Sequence, residues 1–469
     1  MRARIRRGSE LATTRHMAGS ADRPPIPPAS IQVERTVGLL VAMGCCGLVL
    51  VFLGSGSPDP GLSHVEPNHG QLSSSEAQAS SGGFAHPPTS SYQRARNAQR
   101  GAGPQGTEEP RAPTPWLQHF QRAFRNLQAA PSSHVRVLWL GDSHTAAGYW
   151  VDQVRTELAA RFGHGGLGFL RFETGPQRTR WTNQLITGRW VKQPGHPARA
   201  VQSADGVFGL GGTRLVPASR RASLSIQLGR QAVRGKARWG LAYRLPAPEA
   251  RFQVAVDGGP PIPIVGAVGR VEHLSFEGQP DGEFELEPLQ GRPEFLGITV
   301  EGTEPGLVVD MIGIPGARAA TTLAWREREW VESVRKRLPV LAVVAFGTNE
   351  VVAPDPPENY GRALTLLVER LRRANLDCDC LLVGPTPVEV VAGRTHPNVA
   401  KMDQVARDTA HSLRCGYFSP YRAMGGEGGY ARWSSERPRL TVGDRVHFSA
   451  AGYARLGSLV AQLLLGSVD

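Results

Sequence analysis

Short, strongly apolar runs recur along this 469-residue chain from Val135 onward, and each is followed by a glycine-bearing turn and a stretch of helical periodicity. Val135 to Leu140, Leu307 to Ile312, Val340 to Phe346 and Leu381 to Val383 are too short for helices and too apolar for strands with one wet face. Alternation of such strands with helices predicts an α/β domain whose parallel sheet is covered on both faces. The intervening helices are expected over Tyr149 to Phe162, from the Gly316 turn through Arg337, Asn359 to Ala374, Val399 to Leu413 and Ala450 to Leu465, with a last short strand at Gly416-Tyr-Phe. In a sheet of this kind the loops at the carboxyl ends of the strands converge on one crevice.

Three residues with chemical potential fall on those ends. Ser143 follows the first strand in Gly141-Asp-Ser-His, Gly316 follows the second in Gly313-Ile-Pro-Gly, and Asn349 follows the third in Phe346-Gly-Thr-Asn-Glu350. A fourth element, Asp444-Arg-Val-His447, precedes the final helix. A serine hydroxyl is a weak nucleophile and needs a base, a group that fixes the base's tautomer, and donors aimed at the developing oxyanion. Each residue also has a bland reading. Ser143 suits a helix N-cap, Asn349 a left-handed turn, and Pro315-Gly316 an ordinary turn; His447 would then be merely solvated. Ser449 can cap the terminal helix, which frees Asp444 to orient His447. Four coincidences at the ends of successive elements favour the catalytic reading: Ser143 as nucleophile, His447 as base, Asp444 as orienting carboxylate, and Ser143, Gly316 and Asn349 as oxyanion donors.

The rest of the chain divides by composition. Residues 1–36 form a basic tail with seven arginines, and residues 37–54 form an apolar segment of about eighteen residues without charge, near the lower limit for a membrane helix. The arginine excess places the tail in the cytoplasm and the remainder across the membrane. Gly54-Ser-Gly-Ser keeps a cleaved signal peptide open as the competing reading. Residues 55–113, rich in Ser, Gly, Pro and Gln, read as a disordered linker. Residues 114–175 and 306–469 then form the two parts of the α/β domain. Between them, 176–305 shows short alternating runs such as Ala222-Ser-Leu-Ser-Ile-Gln-Leu, punctuated by Gly and Pro, as expected of an inserted β-sandwich.

The formal charge of +12 comes mostly from dispersed arginines, so a nucleic-acid partner is not expected. Of five cysteines, two lie in the apolar segment; Cys378 and Cys380 read as buried thiols, with a bridge to Cys415 left open in an oxidising compartment. No metal or cofactor is expected from so short a ligand list.

The ordered set Gly141-Asp-Ser143, Gly316, Gly347-Thr-Asn349 and Asp444-x-x-His447 resembles the SGNH (GDSL-like) hydrolases. The resemblance implies a three-layer α/β/α flavodoxin-like fold and esterase, lipase or acetylesterase activity. It also implies the same roles for Ser143, Gly316, Asn349, Asp444 and His447. His144 and Glu350 depart from the general pattern. Together with Phe162-Gly-His-Gly-Gly-Leu-Gly-Phe and Gly425-Gly-Glu-Gly-Gly, they are similar to the branch containing bacterial peptidoglycan O-acetylesterases. Members of that branch carry an inserted jelly-roll, carbohydrate-binding-like module in the place of 176–305. The combined expectation is a membrane-anchored serine esterase facing the cell envelope, removing O-acetyl groups from a glycan, with peptidoglycan acetylated at the muramic acid C6 hydroxyl as the leading substrate. An acetyltransferase, an esterase on another polysaccharide or lipid, and a non-catalytic glycan-binding envelope protein are the alternatives.

Overall fold

The computed structural model describes residues 116–130, 133–175, 177–194 and 205–466. The basic tail, the apolar segment and the linker lie outside the described residues, and among those described no helix is long and apolar enough to cross a membrane.

Helix α1 (Gln118–Ala129) leads into β1 (Val135–Gly141), the short α2 (Ser143–Ala146), α3 (Tyr149–Phe162) and β2 (His164–Leu170). The insert follows as β3 (Gln177–Arg178), β4 (Thr182–Thr187), β5 (Trp190–Pro194), β6 (Thr213–Pro217), β7 (Ser223–Leu228), β8 (Ala237–Arg244), β9 (Arg251–Val256), β10 (Ile262–Ile264), β11 (Val271–Gly278), β12 (Glu283–Gln290) and β13 (Glu294–Gly302). The α/β pattern resumes with β14 (Leu307–Gly313), α4 (Glu327–Arg337), β15 (Leu341–Ala345), α5 (Thr348–Val351), α6 (Pro357–Ala374) and β16 (Asp379–Val383). It ends with the hairpin β17 (Glu389–Val391) and β18 (Arg394–Thr395), α7 (Pro397–Ser412), β19 (Gly416–Phe418), α8 (Pro420–Ala423), α9 (Gly429–Ser435) and α10 (Ala450–Gly466).

The parallel strands lie in the order β14-β1-β15-β16-β19, which numbered along the α/β domain is 2-1-3-4-5, the flavodoxin-like order. Successive side chains leave a strand on opposite faces, and β1 uses both. Leu138 and Leu140 enter one core with Trp330, Leu364 and Val399 of α4, α6 and α7. Val137 and Trp139 enter the other with Phe124, Trp150 and Val460 of α1, α3 and α10. This three-layer packing explains why these strands carry almost no polar residue.

Three features differ from the sequence expectations. The helix expected directly after Gly316 is broken: Ala319–Ala324 is a 3-10 turn, and α4 begins only at Glu327. The hydroxyls of Thr321 and Thr322 bond to the local backbone at Arg318 and Ala319, which competes with continuation of the helix. Cys380 is not a free thiol but is joined to Cys415, with 4.8 Å between Cα atoms, while Cys378 stays free and buried. The bridge ties β16 to the residue just before β19, its neighbour in the sheet.

The third difference concerns the insert. One of its sheets, β10-β9-β12-β7-β4-β3, is separate, but its other strands continue the central sheet. The junction is β2, parallel to β14 on one side and antiparallel to β13 on the other. Gly165, Gly166 and Gly168 make β2 invisible to hydrophobic patterning, and a Cβ at Gly168 would stand 2.7 Å from the Val309 carbonyl. The strand needs glycine because its neighbours' backbones approach so closely. Trp239, Phe252, Phe284 and Phe295 fill the space between the insert's two sheets, as in a sandwich.

Candidate active site

Registers place the ends of three adjacent strands side by side. Gly141 pairs with Gly313 of β14 and with Ala345 of β15, so the turns that follow β1, β14 and β15 emerge together. Ser143, Gly316 and Asn349 therefore share one edge by topology alone. This is also the position where strand order reverses, the usual crevice of a doubly wound sheet.

Ser143 is the first residue of α2, and the cap before it is Asp142, whose carboxylate accepts from the His144 N–H at 3.0 Å. The capping duty thus falls to Asp142. The Ser143 Oγ lies instead 2.8 Å from His447 Nε2, and His447 Nδ1 lies 2.6 Å from Asp444 Oδ2. With Nδ1–H donated to Asp444, Nε2 is left to accept the serine proton. Asp444 Oδ1 accepts the backbone N–H groups of His447 at 2.7 Å and Val446 at 2.9 Å. Partial burial opposes its ionisation, but these N–H groups and the His447 ring together hold its carboxyl below the usual range. Ser449 caps α10 by accepting from Gly452 N–H at 3.2 Å, so Asp444 is free of that duty.

The turns bearing Gly316 and Asn349 are tied to each other. Asn349 Nδ2 donates to the Ala317 carbonyl at 2.9 Å, which orients its amide, and Gly316 sits at φ 79°, a conformation that favours glycine. Glu350 accepts from Ala319 N–H at 2.7 Å through one oxygen and from Gly347 N–H at 3.1 Å through the other. One buried carboxyl thereby fastens the β14 turn to the β15 turn. Burial pushes its pKa up to about 7, with the backbone donors opposing that rise. Asp142 is pushed further, to about 8, again by burial.

His144 is buried beneath the pair Ser143–His447 rather than exposed beside it. Its Nδ1 is 2.9 Å from the Tyr453 hydroxyl and its Nε2 is 2.9 Å from Thr386 Oγ1, which in turn meets Thr348 Oγ1 at 2.9 Å. Desolvation holds its pKa well below the usual value, so the ring is neutral. Its ring centroid is 4.9 Å from that of His447, a tilted contact that limits where the second imidazole can lie.

Tyr430 performs the same service for the loop. Its hydroxyl donates to the His447 carbonyl at 3.2 Å and accepts from Gly443 N–H at 3.3 Å and Arg445 N–H at 3.1 Å. Arg445 is held there at φ 68°, in the left-handed region. Tyr430, Tyr453 and Thr386 were not legible as site residues in the sequence. The only signals near them were the glycine-rich stretch ahead of Tyr430 and the strand end ahead of Thr386.

These elements define a class. Residues 280–455 match the model of the GDSL-like Lipase/Acylhydrolase family. That span begins within the insert and reaches α10, taking in Gly316, Asn349, Asp444 and His447, while Ser143 precedes it. A solved peptidoglycan O-acetylesterase superposes with a TM-score of 0.64 over 75% of this chain and 96% of that one, at 22% identity, a likeness of fold. A family two carbohydrate esterase from Cellvibrio japonicus covers 61% of this chain and 98% of its own at 11% identity and a TM-score of 0.25. An acetyl xylan esterase covers 35% and 82% at 16% identity and a TM-score of 0.27. No curated protein matches the chain.

Proposed function

We infer that this protein is a serine esterase that removes acetyl groups from a cell-envelope glycan, peptidoglycan acetylated at the muramic acid C6 hydroxyl being the leading substrate. The observation that carries the reading is the continuous chain from Ser143 Oγ through His447 to Asp444, at 2.8 and 2.6 Å. As Oγ attacks the acetyl carbonyl, His447 Nε2 takes its proton, and Asp444 stabilises the imidazolium that results. The oxyanion is received by the Ser143 and Gly316 N–H groups and the Asn349 amide. The sugar hydroxyl leaves with the proton from His447, and water then attacks the acetyl-enzyme by the same route, releasing acetate. The fold likeness to a peptidoglycan O-acetylesterase supports the glycan as substrate.

The membrane segment at residues 37–54, with the domain on the outer side of the cytoplasmic membrane, belongs to the same proposal. The Cys380–Cys415 disulfide supports it, since such bonds persist in oxidising compartments. The test is acetate release from O-acetylated peptidoglycan by the full-length protein and by Ser143→Ala, with acetylated xylan as comparator. A loss of at least about 10³-fold in the variant is expected. Equal release by both proteins removes Ser143 from the chemistry, and faster release from xylan changes the substrate. A reporter fused after residue 60 that is active only in the cytoplasm overturns the topology.

A further inference from the structure

Three turns must meet for the chemistry proposed above, and the side chain of His144 is linked to all of them. It follows Ser143 directly in α2 and is 1% exposed. Two links run outward from its ring. Tyr453 of α10, at Nδ1, packs edge-on against Phe448 with 5.3 Å between centroids, and Phe448 is the residue next to His447. The His144 ring itself lies 5.5 Å from that of Phe448. Thr386, at Nε2, meets Thr348 Oγ1 twice, through its hydroxyl at 2.9 Å and its backbone N–H at 3.3 Å, and Thr348 is the residue next to Asn349. Tyr453, Thr386 and Thr348 are all buried. One imidazole is thus the sequence neighbour of the nucleophile and stands one side chain away from the neighbours of the base and of the oxyanion amide.

The direction of these bonds follows from the donor count. A phenol carries one proton, and among the described residues the Tyr453 hydroxyl has no acceptor other than His144 Nδ1. Burial pushes that hydroxyl's pKa up, and the Phe448 N–H, directed at its oxygen, opposes the rise. The phenol therefore accepts from Phe448 and donates to Nδ1. A neutral imidazole whose Nδ1 accepts carries its proton on Nε2, so Nε2–H donates to Thr386 Oγ1. Thr386 then donates to Thr348 Oγ1 from both its hydroxyl and its N–H. A doubly protonated ring could not serve, because Tyr453 would lose its acceptor. Desolvation keeps the second proton off, with His447 acting in the same direction and Asp444 against it. The chain runs in one sense from α10 to the Asn349 turn, and a buried chain of this kind rigidifies what it joins.

We propose that His144, protonated at Nε2, is the positioning residue of this site and holds the Ser143, Asn349 and His447 turns at the mutual distances the reaction requires. The proposal rests on the esterase reading and adds the residue on which its geometry depends.

The test measures p-nitrophenyl acetate hydrolysis by the full-length protein and by its Tyr453→Phe, Thr386→Val and His144→Phe variants, which remove the polar links and keep bulk in place. The first two should lower kcat about tenfold each and the third about 10²-fold, the loss that a misplacement of about 1 Å can cause, with KM within about twofold of the parent. A double variant supplies a readout that a merely structural role does not move. Adding Tyr453→Phe to His144→Phe should cost less than about twofold more, because that link is already cut. Losses that multiply, an effect carried by KM, or a kcat within about twofold of the parent in both hydroxyl variants overturns the proposal. If His144→Phe does not fold, the two hydroxyl variants decide alone.

A second arm needs no turnover. Nitrogen NMR of the full-length protein labelled in histidine, with the His144 signals identified by their shifts in Tyr453→Phe and Thr386→Val, should show a protonated Nε2 and a bare Nδ1. That state should persist between about pH 5 and 8, although an unperturbed imidazole titrates at about 6.5. The opposite tautomer, or a second proton gained in that range, overturns the proposal. A parent protein that hydrolyses no acetyl ester sinks the esterase reading instead, and the NMR arm separates that failure from a wrong assignment of the ring.

Discussion

Two clusters of buried charge sit at different places on the central sheet, and they are built in opposite ways. Where the insert joins the α/β domain, every charge has a partner. Arg136 grips both oxygens of Glu301 at 2.7 and 2.8 Å, and Arg337 reaches Glu301 at 2.6 Å and Asp310 at 2.8 and 2.9 Å. The Phe169 N–H of β2 adds a donor to Asp310 at 2.8 Å. At the edge that carries Ser143 and Asn349, Asp142 and Glu350 are just as deeply buried, but their hydrogen bonds come from backbone N–H groups, and among the described residues no arginine pairs with them. The seam uses charge to hold β1, β13, β14 and α4 in register. The site uses carboxyl groups as short connectors between turns, where a buried arginine would occupy space that substrate needs.

The largest effect expected from this contrast is on turnover alone. Asp444→Asn keeps the volume of the side chain but withdraws the charge that stabilises the His447 imidazolium, so kcat should fall by about 10⁴-fold with the melting temperature nearly unchanged. Ester hydrolysis by the variant within tenfold of the parent would remove Asp444 from its role. Next comes stability alone. Arg337→Met leaves Glu301 and Asp310 buried with one cation fewer, and breaking such a pair costs about 3–5 kcal/mol. Denaturant unfolding should register that loss while kcat of the remaining folded protein stays within about twofold, because the seam touches no reacting group. A variant that loses turnover before it loses stability would mean that the two clusters are coupled through the sheet.

The same contrast explains what could be read from the residues in advance. β1, β14, β15 and β16 declared themselves because both of their faces are buried and their side chains record it. β2 did not, because its glycines leave no side-chain record, and with it went the sharing of one sheet between insert and α/β domain. Ser143, Asp444 and His447 stood out as candidates because few residue types suit the proposed roles, and the fold brings them within 2.8 and 2.6 Å of one another. Tyr430, Tyr453 and Thr386 did not stand out: uncharged, and brought to the site only by folding over separations such as the 242 residues between His144 and Thr386, they leave no spacing to detect. His144 and Glu350 were noticed only as departures from a pattern. Their roles, one limiting where the His447 imidazole can lie and the other fastening two turns, come from contacts that no local sequence records.

The smallest effect is one of sign, and it tests the contrast most directly. Glu301, which its arginines hold at about 2 against the desolvation that would raise it, contributes stability that is present above the ordinary carboxyl range and lost as pH falls toward 2. Asp142 and Glu350, raised by burial to about 8 and about 7, behave oppositely. Their contribution is complete below pH about 4, where folded and unfolded forms are both protonated, and is lost as pH rises through 7 and 8, because the unfolded carboxyls ionise and the buried ones resist. Each such group can tilt stability by at most about 1.4 kcal/mol per pH unit. Asp142→Asn reproduces the protonated shape, can still accept the His144 N–H, and should flatten the decline in unfolding free energy between pH 6 and 7. Glu301→Gln should leave that decline untouched and instead weaken the acid limb between pH 4.5 and 2. If Asp142→Asn leaves the slope above pH 6 as steep as in the parent, Asp142 is ionised in the folded protein. The catalytic edge would then balance its charge as the seam does, through a cation that approaches Asp142 in solution.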